Sequence, residues 1–499
     1  MRLSLSVKKR TKLKRVGIRI EVITLFSKYI MASNFLYIFD NDLRSNYLPI
    51  LDDFIVKVNQ DPSATLSCVY LFDPSQLKVQ LFNSAYIGNH RLLFLSECLQ
   101  DLGLILANRG ISFQIVLGNK ASNLNKVLVD RKITDVGFSS PVGTDEKNLY
   151  TFLQQSDVNL HQRFQHTLFA QHELPFDLKE LPHSFSKFRK LVEALPLDSF
   201  FSQYQRLTKL TDALITSETS TKQLYIQFEQ SFNLFCRHPN VEAALNKATS
   251  NRRNFNSGFE GGATNAVAHL HQYFSLNCAS SYKETRNFLD NWTASTKFSA
   301  ALASGSLSPK YIWHEIVKYE QLNGANESTY WIKFELLWRE YFQWYGARYR
   351  EKLFKFSGIN NKKPLNSFYA ERYKKWCDAN TPSAFINAIM NQLKATGYIS
   401  NRSRQITASY FVNELNLDWR YGAAYFQEML IDYDVASNWG NWQYLAGVGC
   451  DPRGKRQFNI QKQQQCYDPE GRFIKRWADK DNNTSLDSVD AADWPILSD

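Results

Sequence analysis

Residues 415–454 read LNLDWRYGAAYFQEMLIDYDVASNWGNWQYLAGVGCDPRG, and the reading of this stretch decides the fold. Trp419, Trp439 and Trp442 lie in it beside an Asp-Tyr-Asp-x-x-Ser-Asn segment that runs from Asp432 to Asn438. Tryptophan is ordinarily bulky core. A buried carboxylate or amide needs a partner, however, and Asp432, Asp434 and Asn438 sit among the aromatic groups. A large flat ligand with polar edges would supply both stacking and hydrogen bonds. Without support from elsewhere in the chain, the segment would read as a surface Asx turn ahead of Gly440.

The surrounding chain gives that support. All eleven tryptophans lie at or after Trp292. From about Gly258 to Trp477, apolar residues fall at three- and four-residue spacing, as in AVAHLHQYF (266–274) and WIKFELLWREYFQWYGARYREKLF (331–354). That period predicts an α-helical domain, assigned to 256–477. Phe35 to about Phe164 alternates differently. FLYIFD (35–40), SCVYLFD (67–73), FQIVLG (113–118) and ITDVGFS (133–139) read as strands, with helices between them. One such helix closes on Gly110. This rhythm predicts a parallel sheet covered on both faces, assigned to 34–165. No Gly-x-Gly-x-x-Gly follows a strand, so a dinucleotide-binding Rossmann site is not supported. Residues 166–255 are less periodic and read as a connector wrapped over both domains.

Composition sets the outer bounds. At 499 residues, 44% hydrophobic and 21% charged, the chain has the make-up of an ordinary soluble protein of two or three domains. No apolar run is long enough to span a bilayer. Seven scattered cysteines with no Cys-x-x-Cys read as reduced thiols. The nine histidines form no metal set, His269 and His271 facing differently on a predicted helix. The net charge of +11 divides into +8 for residues 1–33, −5 for 478–499 and +8 for the body. A moderately basic body suits a phosphate-binding face or a plain solvated surface equally. The basic start reads as an over-extended reading frame ahead of Met31, with a transit peptide or basic arm as alternatives. The protein is therefore expected in a bacterial-type cytoplasm, or in an organelle if residues 1–30 are a targeting segment. The acidic tail is expected to be disordered.

Four segments of the helical half carry a resemblance: GFEGGATNAVAHLHQYF (258–274) with SSYKETRN (280–287); STKFS (295–299) leading to LSP (307–309); FELLWREYF (334–342); and GYISNRSRQITASYF (397–411) through the opening stretch to YDPEGRFIKRW (467–477). FDNDLR (39–44) adds an imperfect N-terminal signature. In this order and spacing the chain resembles the photolyase/cryptochrome family, specifically its DASH cryptochromes. The resemblance implies an α/β domain joined to an α-helical domain that binds FAD.

STKFS on its own reads as a hydroxyl-rich helix N-cap. By resemblance Ser295, Thr296, Lys297, Phe298 and Ser299 form the loop that grips the FAD phosphates, with Tyr282 as a further contact. Asp432 is expected to pair with Arg404, backbone near Asp434 to meet the flavin, and Asn438 to face its N5. FELLWREYF on its own is an amphipathic core helix with Glu335 and Trp338 on one face. By resemblance Glu335 hydrogen-bonds a damaged pyrimidine and Trp338 forms a stacking wall, with Asn401 and Arg402 on the same side. Gln405 and Tyr444 stand where ordinary cyclobutane photolyases have methionine and tryptophan. A wider, more polar pocket fits lesions in single-stranded DNA, where no base pairing opposes extrusion.

The resemblance also implies an electron relay of three tryptophans. Trp442 and Trp419 match the inner two, but an ungapped count back from Trp376 puts Asn366 at the distal position. Tyr369 or Trp376 is the expected substitute, with slower flavin photoreduction as the consequence. A second chromophore, 5,10-methenyltetrahydrofolate, is usual in the branch. Glu146 matches an antenna contact, and QHTLFAQHELPF (165–176) resembles the antenna loop without its preceding tryptophan. The expected activity is light-driven repair of cyclobutane pyrimidine dimers in single-stranded DNA by a monomer. The alternatives are a DNA-binding photoreceptor without turnover and, behind it, an NAD(P)H-dependent flavin oxidoreductase.

Overall fold

Five strands, β1 (Asn34–Phe39), β2 (Thr65–Phe72), β3 (Ser112–Leu117), β4 (Asp135–Ser139) and β5 (Asn159–Arg163), form one parallel sheet in the order β3-β2-β1-β4-β5. The computed structural model describes residues 33–198, 218–255, 257–450 and 456–478 and, of residues 144–147 and 218–220, the backbone alone. The basic start and most of the acidic tail lie outside the described residues. Alternation along β1 explains the layering. Phe35, Tyr37 and Phe39 join one buried cluster, while Leu36 and Ile38 join another on the opposite face. A strand buried on both faces reads as an unbroken apolar run, as β1 does.

The second half is helical, as its period requires. Its long axis is the helix Glu327–Tyr349, started by an Asn326 side chain that accepts from Thr329 N. Tyr341, Trp344 and Tyr345 of this helix are fully buried. They share one core with Trp376, Trp419 and Trp442. Buried Glu340 is satisfied there, accepting from Leu168 N at 2.7 Å, Phe169 N at 3.1 Å and Trp344 Nε1 at 2.7 Å.

The segment read as a connector contains two long helices, Glu218–Cys236 and Pro239–Asn254. Phe228 stacks near Phe113 of β3 and Phe235 meets Phe72 of β2 edge-on, so the first of these helices covers the sheet. Ser and Thr punctuation hid it, because its apolar face has phenylalanines only at 228, 232 and 235.

FDNDLR locks the two halves together. Arg44 is 3% exposed and donates to Gly305 O at 2.9 Å, Asn46 O at 3.0 Å and Tyr47 O at 3.1 Å, and also to Gln165 O. Leu43 N donates to Ser304 O at 3.0 Å. The loop after β1 thus fixes the helical half on the carboxyl end of the sheet.

Candidate active site

The opening stretch folds into two helices, Trp419–Met429 and Val435–Leu445, joined by the Asp-Tyr-Asp segment. Asp434 is the N-cap of the second, accepting from Ser437 N at 2.7 Å. Its carboxylate also accepts both bonds from Gln343 Nε2, at 2.9 and 2.8 Å, which ties the turn to the long helix. Asp432 is buried, and Arg404 Nη2 donates to its Oδ2 at 2.8 Å. Burial works against the Arg404 charge, but Asp432 and Tyr398 more than offset it and hold the guanidinium charged.

Arg404, Asp432 and Asp434 line a cavity of about 330 Å³ together with Asn401, Arg402, Gln405, Asn438, Trp442 and Tyr444. Asp432 Oδ1, Trp442 Nε1 and Arg402 Nε are buried there without a hydrogen-bond partner among the described residues. Orphaned donors and an acceptor around an aromatic-walled cavity fit a flat, polar-edged ligand such as a flavin. Asn438 Nδ2 donates to Ala423 O at 2.9 Å. A carbonyl can only accept, so this bond fixes the amide and leaves its Oδ1 as the acceptor.

Of the residues expected in the STKFS loop, Lys297 reaches this cavity through a neighbour. Lys297 is buried, adopts a positive φ of 53° and holds its Nζ 4.8 Å from the Tyr398 ring, on which Arg404 also lies, at 5.3 Å. Thr296 O accepts from His269 Nε2 at 2.9 Å. The helix that follows, Ser299–Ser304, has six residues and no side-chain cap bond. The hydroxyl N-cap expected for STKFS is therefore absent; Phe298 occupies the cap position and is buried with Tyr282 in the main core. Ser295 lies in the same part-buried loop.

Glu335 and Trp338 form a second group on the long helix. Glu335 pairs with Arg286, whose guanidinium lies 4.4 Å from the Trp331 ring. Burial pushes the Glu335 carboxyl up, and Arg286 opposes the shift. Tyr282 lies close to the same pair, and burial raises its phenol further. Trp338 does not offer an open stacking face: Phe185 stacks on it at 3.8 Å and 14°, and Phe342 runs along it at 5.6 Å. Its edge meets Tyr444 at 6.1 Å. Arg402 Nη2 donates to Asn287 Oδ1 at 3.3 Å, so the two groups adjoin. Glu146 lies in the helix Thr144–Gln154, and its side chain is outside the described residues.

Sequence reasoning missed Arg286, Tyr398, Phe185 and Arg456, whose guanidinium lies 4.5 Å from the Tyr444 ring. Arg286, four residues after Tyr282, and Tyr398 both stand in quoted motifs, whereas Phe185 and Arg456 carried no signal. Among the described residues no cluster of three or more His, Cys, Asp or Glu could hold a metal ion. No described helix is long and apolar enough to cross a membrane.

Both halves of the chain are similar to known proteins. Residues 331–494 match the family model for the FAD binding domain of DNA photolyase, and residues 35–204 match that for DNA photolyase. The cryptochrome DASH of Idiomarina loihiensis is 44% identical over 464 residues, covering 92% of this chain and 96% of the relative. The cryptochrome DASH of Arabidopsis thaliana, named as chloroplastic/mitochondrial, is 34% identical over 88% of this chain and 74% of its own length. The crystal structure of the Synechocystis cryptochrome superposes with a TM-score of 0.72 at 30% identity, covering 89% of each chain.

Proposed function

This chain belongs to the photolyase/cryptochrome family, in its DASH branch, and from that membership we propose that it repairs cyclobutane pyrimidine dimers in single-stranded DNA under blue light. When bound, reduced FAD supplies a light-driven electron that splits the dimer and returns. Asp432, Arg404 and Asn438 hold and orient the flavin edge, and the Asn438 acceptor oxygen suits a protonated ring nitrogen. Lys297, held against Tyr398 beside Arg404, would offer positive charge to the cofactor's phosphates. Glu335 binds the lesion. Burial pushes its carboxyl up while Arg286 opposes the shift, and the paired side chain offers a hydrogen bond to a base edge.

The observation that carries the reading is the adjacency of two groups. A cavity with orphaned polar atoms lies beside the Glu335–Arg286 pair, joined to it by the Trp338–Tyr444 and Arg402–Asn287 contacts. Asn401, Gln405 and Arg402 make the cavity wall polar, which favours an already unpaired strand over a base that must be flipped from a duplex.

A folate antenna has its own support. A separate cavity of about 1520 Å³ lies between the two halves, lined by Phe164, Gln165 and residues 170–176 with Tyr47, Asp52 and Lys310. Burial lifts the Asp52 carboxyl to about 6 and lowers the Lys310 ammonium to about 8. We assign this cavity to 5,10-methenyltetrahydrofolate.

One observation favours a second reading. Phe185 covers the face of Trp338 that a dimer would stack on, which suits a photoreceptor without turnover. The deciding experiment illuminates the reduced protein with single-stranded and duplex oligonucleotides carrying one thymine dimer. Repair of the single strand alone is the expected result. No repair with fully reduced, bound flavin would establish the photoreceptor instead.

A further inference from the structure

Resting on the reading above, we propose that Trp439 is the third redox-active tryptophan of this chain, receiving the electron vacancy from Trp419. Trp442 and Trp419 adjoin one short helix. A Cβ at Gly422 would lie 2.3 Å from the Trp442 ring, so the first turn after Trp419 packs directly on that indole. From Trp419, which is 1% exposed, the next indole is Trp439, with centroids 5.8 Å apart at 77°. Rings in edge contact exchange electrons far faster than rings separated by other side chains.

The substitutes expected from sequence are placed less well. Asn366 donates its amide to Val412 O at 2.7 Å and has no aromatic ring to oxidise. Tyr369 is 46% exposed, and Arg372 lies 4.5 Å from its ring, where positive charge opposes oxidation. Trp376 is fully buried and meets Phe411 at 4.7 Å and Phe426 at 6.1 Å. The same two phenylalanines touch Trp442 at 5.5 and 5.2 Å, so they stand between the two indoles. A phenyl ring is too hard to oxidise to serve as a stepping stone.

The surroundings of Trp439 suit an electron-deficient indole. Its Nε1–H donates to Tyr433 Oη at 3.1 Å, and the Tyr433 hydroxyl donates to Gln427 Oε1 at 3.0 Å. An oxygen on the indole N–H stabilises the positive charge of the oxidised ring. Tyr433 does not take the vacancy further. Oxidising a phenol requires losing its proton, the amide of Gln427 is no base, and Arg91 lies 4.6 Å from the ring. In the step itself, Trp439 gives one electron to oxidised Trp419, which becomes neutral. Trp439 becomes a radical cation, and no covalent bond forms or breaks. The original oxidant is photoexcited, oxidised flavin, and an external thiol later returns an electron by transfer across the shell over Trp439, which is 4% exposed.

The test uses the full-length FAD-bound protein, with oxidised flavin and dithiothreitol under blue light. Flavin reduction, the transient absorption of the indole radical and its paramagnetic resonance signal are compared for Trp439→Phe, Trp376→Phe and Tyr369→Phe. Trp439→Phe is expected to slow flavin reduction several-fold and to shorten the radical lifetime, because the vacancy stays nearer the flavin. The other two variants should follow wild type. Wild-type kinetics in Trp439→Phe, or loss of photoreduction in either other variant, would overturn the proposal. If Trp439→Phe fails to retain FAD, Tyr433→Phe decides, since it keeps the ring and removes the acceptor oxygen. A shortened radical lifetime supports Trp439, and an unchanged one overturns it. Absence of dimer repair by chemically reduced wild type would sink the repair reading alone and leave this comparison standing.

Discussion

Glu335 shows how far a single residue can be read from sequence and where that reading stops. Its spacing from Trp338 put both on one helical face, but the partner that tunes it, Arg286, comes from another segment. Glu335→Ala is expected to abolish repair while flavin absorbance is retained, checked by dimer repair and the visible spectrum. Phe185→Ala should free the face of Trp338; tighter binding of a dimer-containing single strand, measured by fluorescence anisotropy, is the expected outcome. His166 makes a prediction about pH. It is buried, donates Nε2–H to Gln343 Oε1 at 3.1 Å, and burial followed by Arg339 lowers its pKa to about 4. An unfolded histidine titrates near 6.5. The folded state therefore gains from neutral His166 above that value and loses the gain as pH falls from about 6.5 to about 4, on the order of 3 kcal/mol. His166→Gln should flatten this acid limb in urea titrations at stepped pH. An equally steep limb in the variant would assign the effect elsewhere.

At the scale of elements, the helix Val435–Leu445 carries most of the candidate site, and Asp434 sets its start. Asp434→Ala removes the N-cap, worth about 1 kcal/mol, and leaves Gln343 Nε2 unsatisfied, worth about 1–3 kcal/mol more. Asp434→Ser keeps the cap oxygen and should lose only the second part; urea midpoints of the apoprotein separate the two. Helical periodicity made the helix Glu327–Tyr349 legible, whereas the Asp432–Asn438 stretch at the head of Val435–Leu445 read on its own as an Asx turn. Periodicity did not make the Glu218–Cys236 helix legible, because polar punctuation masks a face that becomes apolar only against Phe72 and Phe113. The six-residue helix after STKFS failed for the opposite reason. Its hydroxyls promised a cap, yet Phe298 took the position, held by burial in the core.

At the scale of the whole molecule, the site depends on two halves held in one arrangement. Gly305 adopts φ +72°, and a Cβ there would lie 2.1 Å from Asn41 O, on the loop that follows β1. Gly305→Ala should cost at least about 1–3 kcal/mol in backbone strain and loosen the halves, visible as faster proteolysis between them. The alternating and helical periods determined both domain types, because burial of an apolar face leaves a local pattern that needs no partner to be read. The motif order likewise determined the family and its flavin. Tertiary structure alone decided which side chains meet: Arg286 on Glu335, Phe185 over Trp338, Tyr398 between Lys297 and Arg404, and Trp439 beside Trp419. These contacts join residues tens to well over a hundred positions apart in most cases. Their geometry follows from how the helices pack around a shared core, which no local spacing encodes.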